Sequence, residues 1–116
     1  MIQMPSQEFI FNALVTNVVD GDTIDCSIDM GLHCYRKERL RILRINAPEM
    51  KGATREAGLA AKAFVIGWLK DQTIRIQTYK SDAFGRYLAE IWRISDGKNL
   101  SDDMLEAGMA VPFYGG

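Results

Sequence analysis

The apolar side chains of this chain change their spacing twice, and the order of these spacings constrains the fold most strongly. They alternate with polar side chains over residues 9–45, recur at helical spacing over residues 55–70, and alternate again over residues 73–94. Alternation is typical of strands with one buried face, whereas the longer period is typical of an amphipathic helix. The sequence therefore predicts three strands, one main helix and two further strands.

Turn residues set the limits of these elements. The first predicted strand ends at Asp20 and Gly21, and the third runs from Tyr35 to Ile45, with Arg44 assigned to the same face as Leu40 and Ile42. Pro48 has no N–H to donate, so strand pairing should stop there.

The helices also have end signals. Thr54 offers a side-chain oxygen as an N-cap for the main helix, and a short helix over residues 100–107 is expected to end at Gly108. The tail that follows is too short for another helix.

The number and order of these elements indicate the fold. A chain of 116 residues fits a single domain, residues 1–116, with no room for a second. The predicted class is α+β and mainly β: a five-stranded Greek-key barrel of the oligonucleotide-binding (OB) type, with one main helix between strands 3 and 4 and a short C-terminal helix.

The net charge of −1 excludes a global basic field that would attract nucleic acid, so any polyanion site must be local. One stretch supplies such a site, because five basic residues fall within nine positions: Arg36, Lys37, Arg39, Arg41 and Arg44. This run predicts a basic edge, and a solvated strand face is the alternative.

The two cysteines, Cys26 and Cys34, sit among alternating apolar positions, which predicts small buried side chains with free thiols; a cross-strand disulfide is the alternative. No residue set has structural-zinc spacing. The N-terminus lacks a cationic segment followed by a long apolar run, so we expect an intracellular (cytoplasmic) protein. Such a protein is compatible with a bacterial or phage origin. By default we expect a monomer without membrane or protein partners.

Four short motifs carry the chemistry. Asp20, Gly21, Asp22 and Thr23 follow the first strand; Arg41 precedes a run ending in Asn46, Ala47, Pro48 and Glu49; Asp82 to Arg86 and Gly108 to Ala110 come later. Carboxylates are hard oxygen donors for divalent cations, and a guanidinium can bind two phosphate oxygens at once. Acids and arginines at separate strand ends are what a metal-dependent phosphodiesterase needs.

In order and spacing these motifs resemble the staphylococcal nuclease (thermonuclease) family, over residues 15–114, in a short form without the family's long last helix. The resemblance implies that Asp22 ligates one Ca²⁺ ion, that Ala47 contributes its backbone carbonyl, and that Asp20 is an accessory acidic residue. Asn46 stands where the family usually has a second calcium-binding aspartate, so the ion should bind more weakly.

The same resemblance implies the catalytic residues. Glu49 matches the glutamate that aligns the attacking water, while Arg41 and Arg86 match the two arginines that grip the scissile phosphate. It implies calcium-dependent cleavage of DNA or RNA, with little sequence preference because phosphate contacts do not specify sequence.

Two aromatic residues are expected from the resemblance to contact the substrate. Phe84 replaces a family tyrosine and keeps the ring, and Tyr114 lies near the tyrosine that lines the base pocket. Because Asn46 weakens the metal site, a non-catalytic nucleic-acid-binding barrel is the alternative function. A protein-interaction module that uses Trp68 and Trp92 is weaker, since both are expected in the core.

Overall fold

The computed structural model describes residues 9–79 and 86–113. The strands are β1 (Ile10–Asp20), β2 (Thr23–Asp29), β3 (Tyr35–Ile42), β4 (Ile45–Asn46), β5 (Thr73–Tyr79), β6 (Tyr87–Arg93) and β7 (Val111–Pro112). The helices are α1 (Arg55–Leu69), preceded by a 3-10 turn (Gly52–Thr54), and α2 (Leu100–Glu106).

Five strands form a closed barrel in the order β1-β2-β3-β6-β5, and β5 pairs with β1 to close it. All pairings in the barrel are antiparallel except that of β3 with β6. Two register shifts bend β1, which helps a long strand to take part in a closed sheet. The predicted OB-type barrel, with its main helix between β3 and β5, is confirmed.

The barrel interior is filled by aliphatic side chains from alternating strand positions, as the period of two requires. The largest fully buried side chains from the barrel strands are Ile24, Leu40, Ile42, Ile74, Ile76 and Ile91. Helix α1 adds Ala61, Val65 and Trp68 to this core, so its apolar face covers the barrel and holds the loop before it in place.

The third strand is shorter than predicted. It ends at Ile42, and Arg44 adopts a positive φ of 70°, which breaks the strand before the two-residue β4. The expectation that Arg44 shares a face with Leu40 and Ile42 is therefore wrong. Its side chain instead bonds to Glu90, Asn99 and Asp102, contacts from β6 and α2 that the local pattern does not encode.

One further expectation about the fold is wrong. Thr54 precedes α1 but makes no capping bond, because its hydroxyl donates to the carbonyl oxygen of Glu49 at 2.7 Å. A small second sheet, in which Val111–Pro112 pairs with Ile45–Asn46, was not predicted.

The cysteine prediction holds for one residue of two. Cys26 is buried, whereas Cys34 is exposed because it lies in the β2–β3 turn, where its N–H donates to the carbonyl of Gly31. Both thiols are free, so the disulfide alternative is not supported. Among the tryptophans, Trp68 lies in the core and Trp92 is half-buried.

Within the described ranges, no helix is long and apolar enough to cross a membrane.

Candidate active site

The site forms where the β1–β2 turn meets the segment that follows β3. Asp22 in this turn accepts a hydrogen bond from the backbone N–H of Ala47 at 3.0 Å, which ties the two segments together. Asp20 turns its carboxylate back along the same turn and accepts from the N–H of Asp22 at 3.0 Å. Two residues predicted as metal ligands, Asp22 and Ala47, thus lie beside the accessory acidic residue Asp20.

Small residues make this close approach feasible. A Cβ added at Gly21 would lie 2.7 Å from the Cβ of Ala47 and 2.8 Å from the Cβ of Ala61 in α1. The turn that carries Asp22 is therefore packed against both the loop and the helix, and a larger residue at position 21 would push them apart. The sequence pattern predicted only a turn at Gly21 and did not indicate this packing.

Arg41 lies in the middle of the candidate ligands. Its guanidinium Nη2 is 3.5 Å from the Asp22 carboxylate and 3.3 Å from the amide oxygen of Asn46. The other terminal nitrogen donates to the carbonyl of Ile42 at 2.8 Å, which fixes the direction of the group. The side chains of Arg41 and Asp22 are only 12% and 14% exposed, so solvent weakens their attraction less than at an open surface.

Arg86 joins the site through Thr23. The Arg86 Nη1 donates to the Thr23 hydroxyl at 3.4 Å, and this hydroxyl donates to the Asp22 carboxylate at 3.2 Å. The two predicted phosphate-binding arginines therefore converge on the same carboxylate, from β3 and from the start of β6. Thr23 is buried, and its linking position was not predicted.

Several neighbouring groups shift the pKa of Asp22 in opposite directions. Burial, followed by interaction with the nearby Asp20 carboxyl, raises the pKa of Asp22 above its ordinary value. The Ala47 N–H and the charge of Arg41 act in the opposite direction. The carboxylate thus lies where added positive charge would be favourable.

Glu49 follows two residues after Ala47, and its side chain is exposed. No described residue forms a hydrogen bond or ion pair with its carboxylate, while its backbone is held tightly. The Thr54 hydroxyl bonds its carbonyl oxygen, and a Cβ added at Gly58 of α1 would lie 2.6 Å from that same oxygen. A fixed backbone and an unengaged carboxylate suit a proton acceptor.

Phe113 is an aromatic residue of the site that the sequence did not reveal. The guanidinium carbon of Arg41 lies 5.7 Å from the centre of its ring, and the ring is 43% exposed. The pairing of β7 with β4, together with a bond from the Phe113 N–H to the Arg44 carbonyl at 2.9 Å, places it there. A two-residue strand has no detectable periodicity, so no local signal could have found it.

The donor set determines which metal the site could hold. Asp22, the Asn46 amide and the Ala47 carbonyl offer oxygen atoms only, which suits a hard cation such as Ca²⁺. The described residues contain no cluster of three or more His, Cys, Asp or Glu side chains that could hold a metal ion. The set therefore fits calcium in chemistry, with less negative charge than a site built from several carboxylates. Phe84 and Tyr114 lie outside the described residues.

Two comparisons with known proteins found similarity. Residues 39–115, about two thirds of the chain, match the family described as staphylococcal nuclease homologue. The chain is also 29% identical over 103 residues to Protein ParB of Escherichia coli, an alignment that covers 83% of this chain and 54% of ParB. This chain thus spans about half the length of that relative.

Proposed function

This chain belongs to the staphylococcal nuclease homologue family, and on that basis we propose that it is a calcium-dependent phosphodiesterase. Its substrate would be DNA or RNA, cut with little sequence preference. The observation that carries the proposal is the position of Arg41, whose guanidinium lies between the Asp22 carboxylate and the Asn46 amide oxygen. A phosphate that reached Arg41 would also reach the oxygens suited to a metal ion.

Each residue has a distinct task in this proposal. Arg41 and Arg86 bind the non-bridging phosphate oxygens and stabilise the extra negative charge that develops during in-line attack. Glu49 accepts a proton from the attacking water, since its carboxylate is exposed and engages no described residue. An arginine does not readily give up its proton, so water is the better acid for the leaving group.

The metal ligands proposed are Asp22, Asn46 and the backbone carbonyl of Ala47, with Asp20 adding negative charge nearby. When bound there, calcium would supply positive charge to neutralise the phosphate. Asn46 contributes no formal charge, and we expect a higher calcium requirement as the consequence.

The breadth of substrate choice follows from the groups in the site. Guanidinium groups contact phosphate, which every nucleotide has, and phosphate contacts position a strand without reading its sequence. The exposed ring of Phe113 beside Arg41 offers a surface on which any base could stack.

A non-catalytic nucleic-acid-binding barrel is the second candidate. The absence of a three-carboxylate cluster from the described residues favours it, because a metal held weakly could leave binding intact without cleavage.

One assay separates the two candidates. The protein is incubated with labelled single-stranded DNA in calcium, in magnesium and in chelator, and both cleavage and gel mobility are followed. Degradation in calcium that chelator abolishes supports the nuclease, whereas a mobility shift without degradation under all three conditions supports the binding module.

A further inference from the structure

The outer face of β3 carries an ordered row of side chains that leads away from Arg41. Leu40 and Ile42 point into the barrel, so the odd-numbered residues of the strand point outward. They are Tyr35, Lys37, Arg39 and Arg41, which we call the β3 track. Their partners in β2 follow without any register shift, so the track is unbroken.

The length of the track suits an extended ligand. Residues two apart on a strand are separated by about 6.7 Å, so the four positions span about 20 Å. A polymeric ligand with one end at Arg41 would therefore need several repeating units to reach Tyr35.

Charge is sorted between the two strands. The β2 residues opposite the track are Thr23, Asp25, Ser27 and Asp29, so acidic groups lie on β2 and basic groups on β3. Arg39 is bound by both oxygens of Asp25, at 2.8 and 3.1 Å, which offsets its charge. Lys37 faces Ser27, is exposed, and bonds to no described residue, so its charge is available to a ligand.

The far end of the track is aromatic and open. Tyr35 is 63% exposed. Lys37 and Arg39 are exposed as well, so a ligand can contact the outward-facing side chains of the track. Strand β6 pairs with β3 only along Leu40–Ile42, so over residues 35–39 no described strand pairs with the β3 edge opposite β2.

We propose that the β3 track binds a single nucleic-acid strand that extends from the candidate active site, with Lys37 contacting a backbone phosphate and Tyr35 stacking on a base. The occupant is single-stranded because a base must leave its stack to meet an aromatic ring. This inference rests on the proposed function, which places a phosphate at Arg41.

The test measures how affinity depends on oligonucleotide length. Binding of a labelled thymidine dinucleotide and hexanucleotide is measured in calcium with the Glu49→Gln variant, so that little substrate is consumed during the measurement. We expect the hexanucleotide to bind at least tenfold more tightly than the dinucleotide. In the Glu49→Gln background, Lys37→Ala should remove most of the gain in affinity for the hexanucleotide and reduce the slope of log affinity against log salt by about 0.7. The control variant Lys70→Ala, at an exposed lysine after α1, should keep the gain in affinity and the salt slope.

The aromatic end is tested separately. Tyr35→Ala should weaken hexanucleotide binding by about tenfold, whereas Tyr35→Phe, which retains the ring, should bind like the parent. Equal affinity for the two oligonucleotides, an unchanged salt slope in Lys37→Ala, or equal binding by Tyr35→Ala and Tyr35→Phe would overturn the track.

Failure of the track and failure of the proposed function give different results. Cleavage by the wild-type protein without length-dependent binding would refute the track and leave the nuclease in place. Length-dependent binding that needs Lys37 and Tyr35, without cleavage in calcium, would refute the nuclease and support the track.

Discussion

Asn46 is the residue at which the candidate metal site loses a formal charge. Its amide oxygen lies 3.3 Å from the Arg41 guanidinium, so an aspartate at this position would also face that cation. We predict that Asn46→Asp lowers the calcium concentration needed for half-maximal cleavage, because calcium affinity rises with the charge of its oxygen ligands. Calcium titrations of the two proteins check this, and identical curves would contradict it.

The two thiols should differ sharply in reactivity. Burial raises the pKa of Cys26 to about 12, whereas Cys34 is exposed. At pH 8 we expect a thiol reagent to modify only Cys34 in the folded protein, since the thiolate is the reactive form. In Cys34→Ser, the remaining thiol should react only after unfolding; fast reaction in the folded state would refute the assigned burial.

The shift at Cys26 also affects stability. In the unfolded chain the Cys26 thiol ionises near its ordinary pKa of 9.0, whereas the folded state holds it neutral up to a pKa of about 12. The folded state therefore loses stability as pH rises from 9.0 towards 12. The stability that the neutral Cys26 thiol contributes is fully present below pH 9.0.

At the scale of elements, helix α1 positions Glu49 through a glycine. A Cβ at Gly58 would lie 2.6 Å from the Glu49 carbonyl carbon and oxygen and 2.8 Å from the Met50 nitrogen. Gly58→Ala should therefore displace the loop, destabilise the fold by about 1–3 kcal/mol and reduce cleavage. Urea unfolding and cleavage rates measure the two effects.

Gly67, in the same helix, provides the matched control because an added Cβ there meets no atom within 4 Å. Gly67→Ala should stabilise the protein by up to about 1 kcal/mol, since alanine is the better helix former. If Gly58→Ala behaved in the same way, the packing of Glu49 against α1 would be refuted.

The elements also show which features local sequence can reveal. The barrel strands and α1 were predictable because each buries one face, and burial imposes a period on the residues. The break at Arg44, the pairing of β4 with β7 and the place of Phe113 depend on contacts between segments far apart in sequence. No period marks such contacts, so the sequence did not reveal the linking position of Thr23 or the places of Gly58 and Phe113.

At the scale of the molecule, Arg44 links the turn after β3 to the C-terminal part of the barrel. It contacts Glu90 through two nitrogens, Asn99 at 3.0 Å and Asp102 at 2.9 Å. Replacement by alanine would leave the half-buried Glu90 carboxylate with fewer partners. We predict that Arg44→Ala lowers the free energy of unfolding by about 1–3 kcal/mol.

A surface ion pair serves as the comparison. Arg36 bonds Glu38 on an exposed part of β3, and such pairs contribute little. Urea denaturation of Arg44→Ala and Arg36→Ala should therefore show a much larger loss for Arg44. Equal losses would mean that the Arg44 contacts do not hold the turn in place.

The whole molecule carries a net charge of −1, so its attraction for nucleic acid must come from one local surface. Arg41, Arg86 and Lys37 lie along a single side of β3 and the start of β6, and Glu49 lies on the loop that follows. The central claim is that this surface cleaves phosphodiesters, with Glu49 as the proton acceptor.

The most direct test compares cleavage of single-stranded DNA in calcium by the wild-type protein, Glu49→Gln and Glu56→Gln. Glu56 is an exposed glutamate in the first turn of α1, so its variant controls for the loss of one surface charge. We predict that Glu49→Gln lowers kcat by about 100- to 10 000-fold while Glu56→Gln cleaves like the wild type. Equal rates for Glu49→Gln and the wild type, or no cleavage by the wild type at any calcium concentration, would contradict the claim.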